Sequence, residues 1–372
     1  APSARCPLVP SWCSLSACLV SRSASEPRKR TNSVRQEAPA GDDSLLEDEP
    51  SVYVYRLVMD GRAQTGIFGC VSVAEYDDDT ILKHETTRPV KEDDRVRHIL
   101  AQRAHAEPVM LTFRDDDNVA QIVASEQINP PLYDFTAPDG IRHTLWRVTS
   151  TAELVEAFGR VERLYVADGH HRCKAASRVG ETLRAEGSDA AGSDAEAPEY
   201  AYFPAVLFPV GQMHIMPYNR IVRQLPVPPP EFLQRLQDRF TLRCDAGEAQ
   251  PSRKGDVCLY LTGRWHTLTL PETGRDGVVD ALDVARLAEF VLEPILGIHD
   301  PRTDRNIDFV GGIRGTDELV RLVDGGKAEL AISMYPTSVE ELIAVSDAGL
   351  LMPPKSTWFE PKLRSGLLVH LF

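Results

Sequence analysis

The sequence predicts an α+β or mixed α/β fold. Its first half carries β-rich runs joined by turn signals, such as "SVYVYRLVM", "DGRA" and "QTGIFGCVSVAEY". Its final third alternates strand-like runs with segments of helical periodicity, as βα units do. Hairpins plus βα units argue against a pure parallel sheet. With 372 residues, 42% of them hydrophobic, the chain is long enough to bury a sizeable core.

Residues 1–48 differ in texture from the rest. "SRSASEPRKRTNSVRQEAPAGDDS" is polar, charged and rich in Ser and Pro, so this segment is expected to be disordered. Folded structure is expected as one domain over 49–372. "DGRA" reads as the turn of a first hairpin. "KEDDRVRHILAQRAHA" places Val96, Ile99 and Leu100 on one helical face, and "PVMLTF" reads as a buried strand. "PLYDFT" and "RHTLWRV" flank "APDG", a second hairpin. "TAELVEAFGR" reads as a helix with Thr151 as its N-cap. "LYVA" is a strand that hands over at Asp168-Gly169 to a helix rich in Ala. "AEGSDAAGSDAEAPEY" is a surface loop.

Strands are expected in "AYFPAVLFPV" and "MHIMPYNRIV", then a proline-initiated helix in "PPPEFLQRLQDRF". "DVCLYL", "WHTLTL", "IDFVGG" and "LAISMYP" read as strands. "ALDVARLAEFVLEPIL", "TDELVRLVDGG" and "SVEELIAVSDAG" read as helices. "DFVGGIRG" lacks the full GxGxxG spacing and reads as a turn.

Composition excludes several classes. The formal net charge is −14, with no basic stripe to displace counterions from DNA or RNA. Seven cysteines, none paired as CxxC, argue against a disulfide scaffold or zinc ribbon and for a cytoplasmic setting. No apolar run reaches the roughly 18 residues of a membrane span.

Chemistry concentrates in "LYVADGHHRCKAASRVG". Gly169 allows a sharp turn and close backbone approach to a ligand. The following helix presents unpaired N–H groups and a partial positive charge to an anion. His170, His171 and Arg172 add donors, and Arg grips phosphate with two parallel bonds. Asp168 would repel a bare phosphate but suits one bridged by Mg²⁺. For a lone Asp-Gly, simple helix capping is the better account; the His-His-Arg that follows favours a phosphate site. Zinc is disfavoured, because adjacent histidines on a helix diverge by about 100°.

Two further stretches matter. Lys83-His84-Glu85 follows a strand and precedes a charged helix; a solvated turn explains it as well as a general base does. Pro353-Pro354 stiffens the chain before Lys355, Ser356 and Thr357, which offer a cation and two hydroxyls. A packed tail is the alternative there. Asn219 and Arg220 read as structural partners of an acidic loop.

Together, Lys83-His84-Glu85, Asp168 to Arg172 and Met352 to Thr357 resemble a bacterial family of unknown function similar to archaeal free-serine kinases. Those kinases have a ParB/sulfiredoxin-like fold, so the resemblance implies such a core, elaborated with extra strands and helices, over roughly Glu49 to Phe372. It implies Glu85 as base on a serine hydroxyl with His84 beside it. Asp168, Gly169, His170, His171 and Arg172 become the phosphate site, with Asp168 at the metal. Lys355, Ser356 and Thr357 become substrate contacts. Mg²⁺ and ADP or ATP are the implied cofactors, and a small hydroxy amino acid such as L-serine the implied acceptor. Relatives begin with a segment bearing a "PPYDV"-like stretch; residues 1–48 show none, so a lost segment or a start other than the natural one is expected.

Two other readings stand beside the kinase. A ParB-type nucleotide switch would act on DNA, for which this acidic chain offers no basic helix. A sulfiredoxin-like activity needs a cysteine inside the phosphate turn, and Cys173 falls just outside it.

Overall fold

The computed structural model describes residues 51–187 and 197–372, together with the backbone of Cys18–Ser21 and Leu45–Glu47. Most of the loop expected after Ala185 lies outside these residues. The fold is mixed α/β, as the alternation of patterns implies. Where the sequence reads as one domain over 49–372, the chain forms two compact units. The first holds residues up to Lys83, Thr87–Met213 and Pro361–Phe372; the second holds His84–Thr86 and His214–Glu360. No linker marks the boundary because the chain enters the second unit at 214 and returns at 361.

The first unit is built on an eight-stranded sheet. Its order is Ile81–Leu82, Leu164–Asp168, Val109–Phe113, Tyr202–Pro209, Arg62–Ser72, Tyr53–Met59, Arg142–Arg147 and Tyr133–Thr136. The first hairpin turns at Asp60-Gly61, both with positive φ (51° and 79°). That is the conformation a two-residue hairpin needs, and Asp-Gly supplies it at little cost. Val54, Ile67, Leu111, Val166 and Leu207 from five strands pack in one core with Leu154 and Phe158 of the Thr151–Phe158 helix and Cys173 and Ala176 of the His170–Ala185 helix.

Thr151 is not the cap of its helix. Ser150 holds that position without a side-chain cap bond, and the Glu126 carboxylate accepts from the N–H groups of Thr149 (2.8 Å) and Ser150 (2.9 Å). Disorder over 1–48 does not hold for seven residues. Cys18–Ser21 pairs with Leu45–Glu47 and with Leu368–Leu371, in a small sheet completed by Ala104–His105. The remainder of 1–48 lies outside the described residues.

The second unit carries a six-stranded sheet, ordered Thr241–Arg243, Arg264–Thr269, Asp256–Leu261, Leu330–Met334, Tyr218–Val222 and Ile307–Gly311. Ile221, Tyr260, Val310 and Ala331 pack with Leu319 of the Gly315–Asp324 helix. The Val339–Asp347 helix starts with a capping box between Ser338 and Glu341. "ALDVARLAEFVLEPIL" is not one regular helix: a short α-helix, Asp283–Leu287, widens to a π-turn over Ala288–Leu292. Pro294 lacks an N–H and crowds the carbonyl four residues back, and the N–H of Glu293 reaches back five residues to Ala288 (3.0 Å).

Candidate functional site

In the first unit, Leu164–Asp168 runs between two neighbours, antiparallel to Val109–Phe113 and parallel to Ile81–Leu82. Leu164 to Ala167 are buried, which fixes the strand; Asp168 emerges at its carboxyl end with its side chain 37% exposed. Leu82 pairs with Tyr165, so Lys83 leaves the sheet at the same edge as Asp168. Parallel neighbours ending side by side are where open α/β sheets place ligands.

Gly169 caps the helix at φ 113°. A Cβ there would lie 3.0 Å from Arg172 Nε and 3.1 Å from Val109 Cγ1. Both the left-handed backbone and the lack of space demand glycine. Gly169→Ala is therefore expected to lower stability by about 1–3 kcal/mol, measured by urea unfolding. A change below about 0.5 kcal/mol would show that the turn yields freely.

Arg172 is fixed from two sides. It donates through Nη1 to the Pro108 carbonyl and through Nη2 to Asp168 Oδ2 at 3.4 Å. The same carboxylate oxygen meets Lys362 Nζ at 3.3 Å. Two cations on one carboxylate leave a positive surplus at a helix N-terminus. Lys362 was not singled out in the sequence; it follows the Pro-Pro-Lys-Ser-Thr turn in "FEPKLR" with no spacing to mark it. His171 Nε2 accepts from the Arg88 N–H (3.0 Å), which requires a neutral ring with its proton on Nδ1. His170 is 5% exposed.

Cys173 is fully buried and burial pushes its thiol up to about 12, so it holds no thiolate at neutral pH. Iodoacetamide at pH 8 should leave Cys173 of the folded chain unmodified while alkylating exposed Cys244, read by peptide mass spectrometry. Alkylation of both at equal rates would contradict this.

The other sequence-derived residues lie in the second unit. The His84 carbonyl accepts from the Met352 N–H at 2.8 Å, so the His-Glu step and the Met352–Thr357 stretch meet although 268 positions separate them (352 − 84). His84 is buried and Glu85 half-buried. The flanking residues, Lys83 and Arg88, belong to the first unit, where the Arg88 N–H is bonded to His171.

Lys355 has φ 61°, unusual for a side chain with a Cβ. Arg220 Nη2 donates to its carbonyl (3.1 Å), and Thr337 Oγ1 donates to the Ser356 carbonyl (2.9 Å). Arg220 is 3% exposed; its donors go to carbonyls and its charge lies over the Phe309 ring, while Asn219 accepts from the Met334 N–H. These two residues therefore brace the Lys355 turn and the sheet, and not an acidic loop as expected. Ser356 donates its hydroxyl to the Pro353 carbonyl (2.7 Å), while Lys355 and Thr357 are half-buried, the Lys355 ammonium lying over the Tyr218 ring.

These features define a mixed α/β protein with a strand–turn–helix element, Asp168 to Arg172, at the carboxyl end of a sheet strand. The chain belongs to the DUF1015 family, proteins of unknown function, whose model matches residues 37–285. No curated protein matches the chain. Among solved structures, it is similar to SbnI with a C-terminal truncation from Staphylococcus aureus, at 15% identity and TM-score 0.41, covering 80% of this chain and 85% of that one. It is also similar to a conserved hypothetical protein from Pyrococcus furiosus, at 11% identity and TM-score 0.39, covering 80% and 93%. A third is a free serine kinase in complex with AMP, at 12% identity and TM-score 0.38, covering 81% and 92%. No helix among the described residues is long and apolar enough to cross a membrane.

Proposed function

We propose that this protein is a phosphotransferase that phosphorylates free L-serine, or a similar small hydroxy amino acid, from ADP or ATP in the cytoplasm. The observation that carries the reading is the Asp168–Arg172 turn. A glycine in the left-handed region, a helix N-terminus and a surplus of cations from Arg172 and Lys362 converge at one sheet edge. Phosphoryl transfer asks a protein mainly for positioning and charge neutralisation. Arg172, Lys362 and the backbone N–H groups at the turn neutralise phosphoryl oxygens.

The turn offers a metal one carboxylate, Asp168, one oxygen of which already faces two cations. That donor set fits Mg²⁺ arriving with phosphates, since this ion characteristically takes one or two carboxylates plus phosphate oxygens. Asp168 would hold it, and the ion would supply further charge neutralisation. Glu85 accepts the proton of the substrate hydroxyl, with His84 beside it in the chain. Lys355 and Thr357 hold the amino acid. A ParB-like core underlies the same reading.

Thermal shift with ADP, ATP, CTP and GTP, each with and without Mg²⁺, tests the binding half. A ligand present at a hundred times its dissociation constant stabilises by roughly 2.7 kcal/mol. ADP or ATP should raise the melting temperature by several degrees, more with Mg²⁺. No shift with any nucleotide would remove the reading. Binding without any phosphorylated product would instead indicate a nucleotide-responsive regulator.

A further inference from the structure

Lys362 reaches the phosphate turn from a stretch without regular secondary structure, between the Trp358–Phe359 and Leu368–Leu371 strands. Its side chain is 42% exposed, and a lysine is a flexible, strongly hydrated group. Its place 3.3 Å from Asp168 Oδ2 therefore depends on how its backbone is held. Past it, the Gly366 N–H donates to the Ala106 carbonyl (2.9 Å), with Gly366 at φ 74°. Between the two, the Arg364 guanidinium lies over the Phe135 ring, 5.6 Å from its centre. Phe135 and His143 face each other on paired strands, and their rings stack at 5.2 Å and 26°. His143 stacks in turn on Tyr55 (5.9 Å, 19°), whose hydroxyl meets His143 Nδ1 at 2.7 Å. Tyr55 and His143 are both buried, which makes the stack a fixed platform on three neighbouring strands.

We propose that Arg364 is a positioning residue for the phosphate turn: seated on the Phe135–His143–Tyr55 stack, it holds its stretch of chain so that Lys362 meets Asp168. The inference rests on the phosphate-site reading and adds what keeps one of its two cations in place. Three observations carry it. Arg364 stands only two positions from Lys362, so fixing one restricts the backbone of the other. A planar guanidinium suits an aromatic face, and the Arg364 backbone also faces the Tyr55 hydroxyl. The ring stacked on Phe135 carries no charge at neutral pH. Burial first, then Arg364 itself, pushes His143 down to about 4, with Asp139 acting in the opposite direction. No imidazolium therefore opposes the guanidinium.

The test measures pyrophosphate affinity by isothermal titration of the full chain, with Arg364→Gln made alone and together with Lys362→Met. Alone, Arg364→Gln should weaken binding by about two- to five-fold, the equivalent of one partly exposed cation–π contact. In the Lys362→Met background it should have no further effect, because it acts only through Lys362. The loss of a positive charge as such, or a general structural defect, would weaken binding alike in both backgrounds. Phe135→Leu changes no charge and should reproduce the loss, again only where Lys362 is present. Unchanged affinity in a folded Arg364→Gln, equal losses in the two backgrounds, or Lys362→Met binding as tightly as the parent would overturn the proposal and leave the Arg172 turn standing. A parent that does not bind pyrophosphate would overturn both.

Discussion

Glu85→Gln is expected to separate binding from chemistry. Glutamine keeps the size and the hydrogen-bonding capacity but takes no proton at neutral pH. The variant should bind nucleotide and serine about as well as the parent and lose on the order of 10²-fold or more in turnover. The placement of Glu85 suits this test. It is half-buried, beside a His84 whose carbonyl is tied to Met352, and glutamine matches its size there. A solvated turn would predict almost no change in rate or stability. Full activity in Glu85→Gln would therefore move the base elsewhere without disturbing the nucleotide reading.

Arg172→Ala is expected to abolish nucleotide binding. Losing charge-assisted bonds to phosphate costs roughly 1.5–3 kcal/mol each, or about 10- to 150-fold in affinity per bond. The structure adds a cost the sequence did not show. Arg172 also satisfies the Pro108 carbonyl and faces Asp168, so its loss should lower the melting temperature as well. Arg172→Lys separates the two effects: it keeps the charge without the planar fork. Weak but measurable nucleotide binding in a folded Arg172→Lys is the expected result. Unchanged affinity in either folded variant would count against the phosphate site.

The parts legible in the sequence were those governed by local chemistry. Asp60-Gly61 announced its hairpin because both positions need positive φ. The Asp168-Gly169 handover was readable because a buried apolar run ends there and only glycine fits. Features set by distant residues were not readable. Glu126, more than twenty residues away, accepts from the Thr149 and Ser150 N–H groups just ahead of the helix that Thr151 was expected to cap. Lys362 reaches Asp168 across 194 positions. Arg220, read as a partner of acidic groups, instead braces the backbone at Lys355. The helix ending at Pro294 widened to a π-turn, because apolar periodicity over so few residues does not separate α from π hydrogen bonding. The two-unit division escaped because a discontinuous unit leaves no change in composition at its edges.

As proposed, this chain transfers a phosphoryl group. Mass spectrometry of the products tests it directly, after incubating the purified chain with L-serine, Mg²⁺ and either ADP or ATP. The account predicts O-phosphoserine, formed in step with loss of the donor's terminal phosphate and absent with Arg172→Ala. Nucleotide binding with no phosphorylated product from serine or any other small hydroxy amino acid would contradict it.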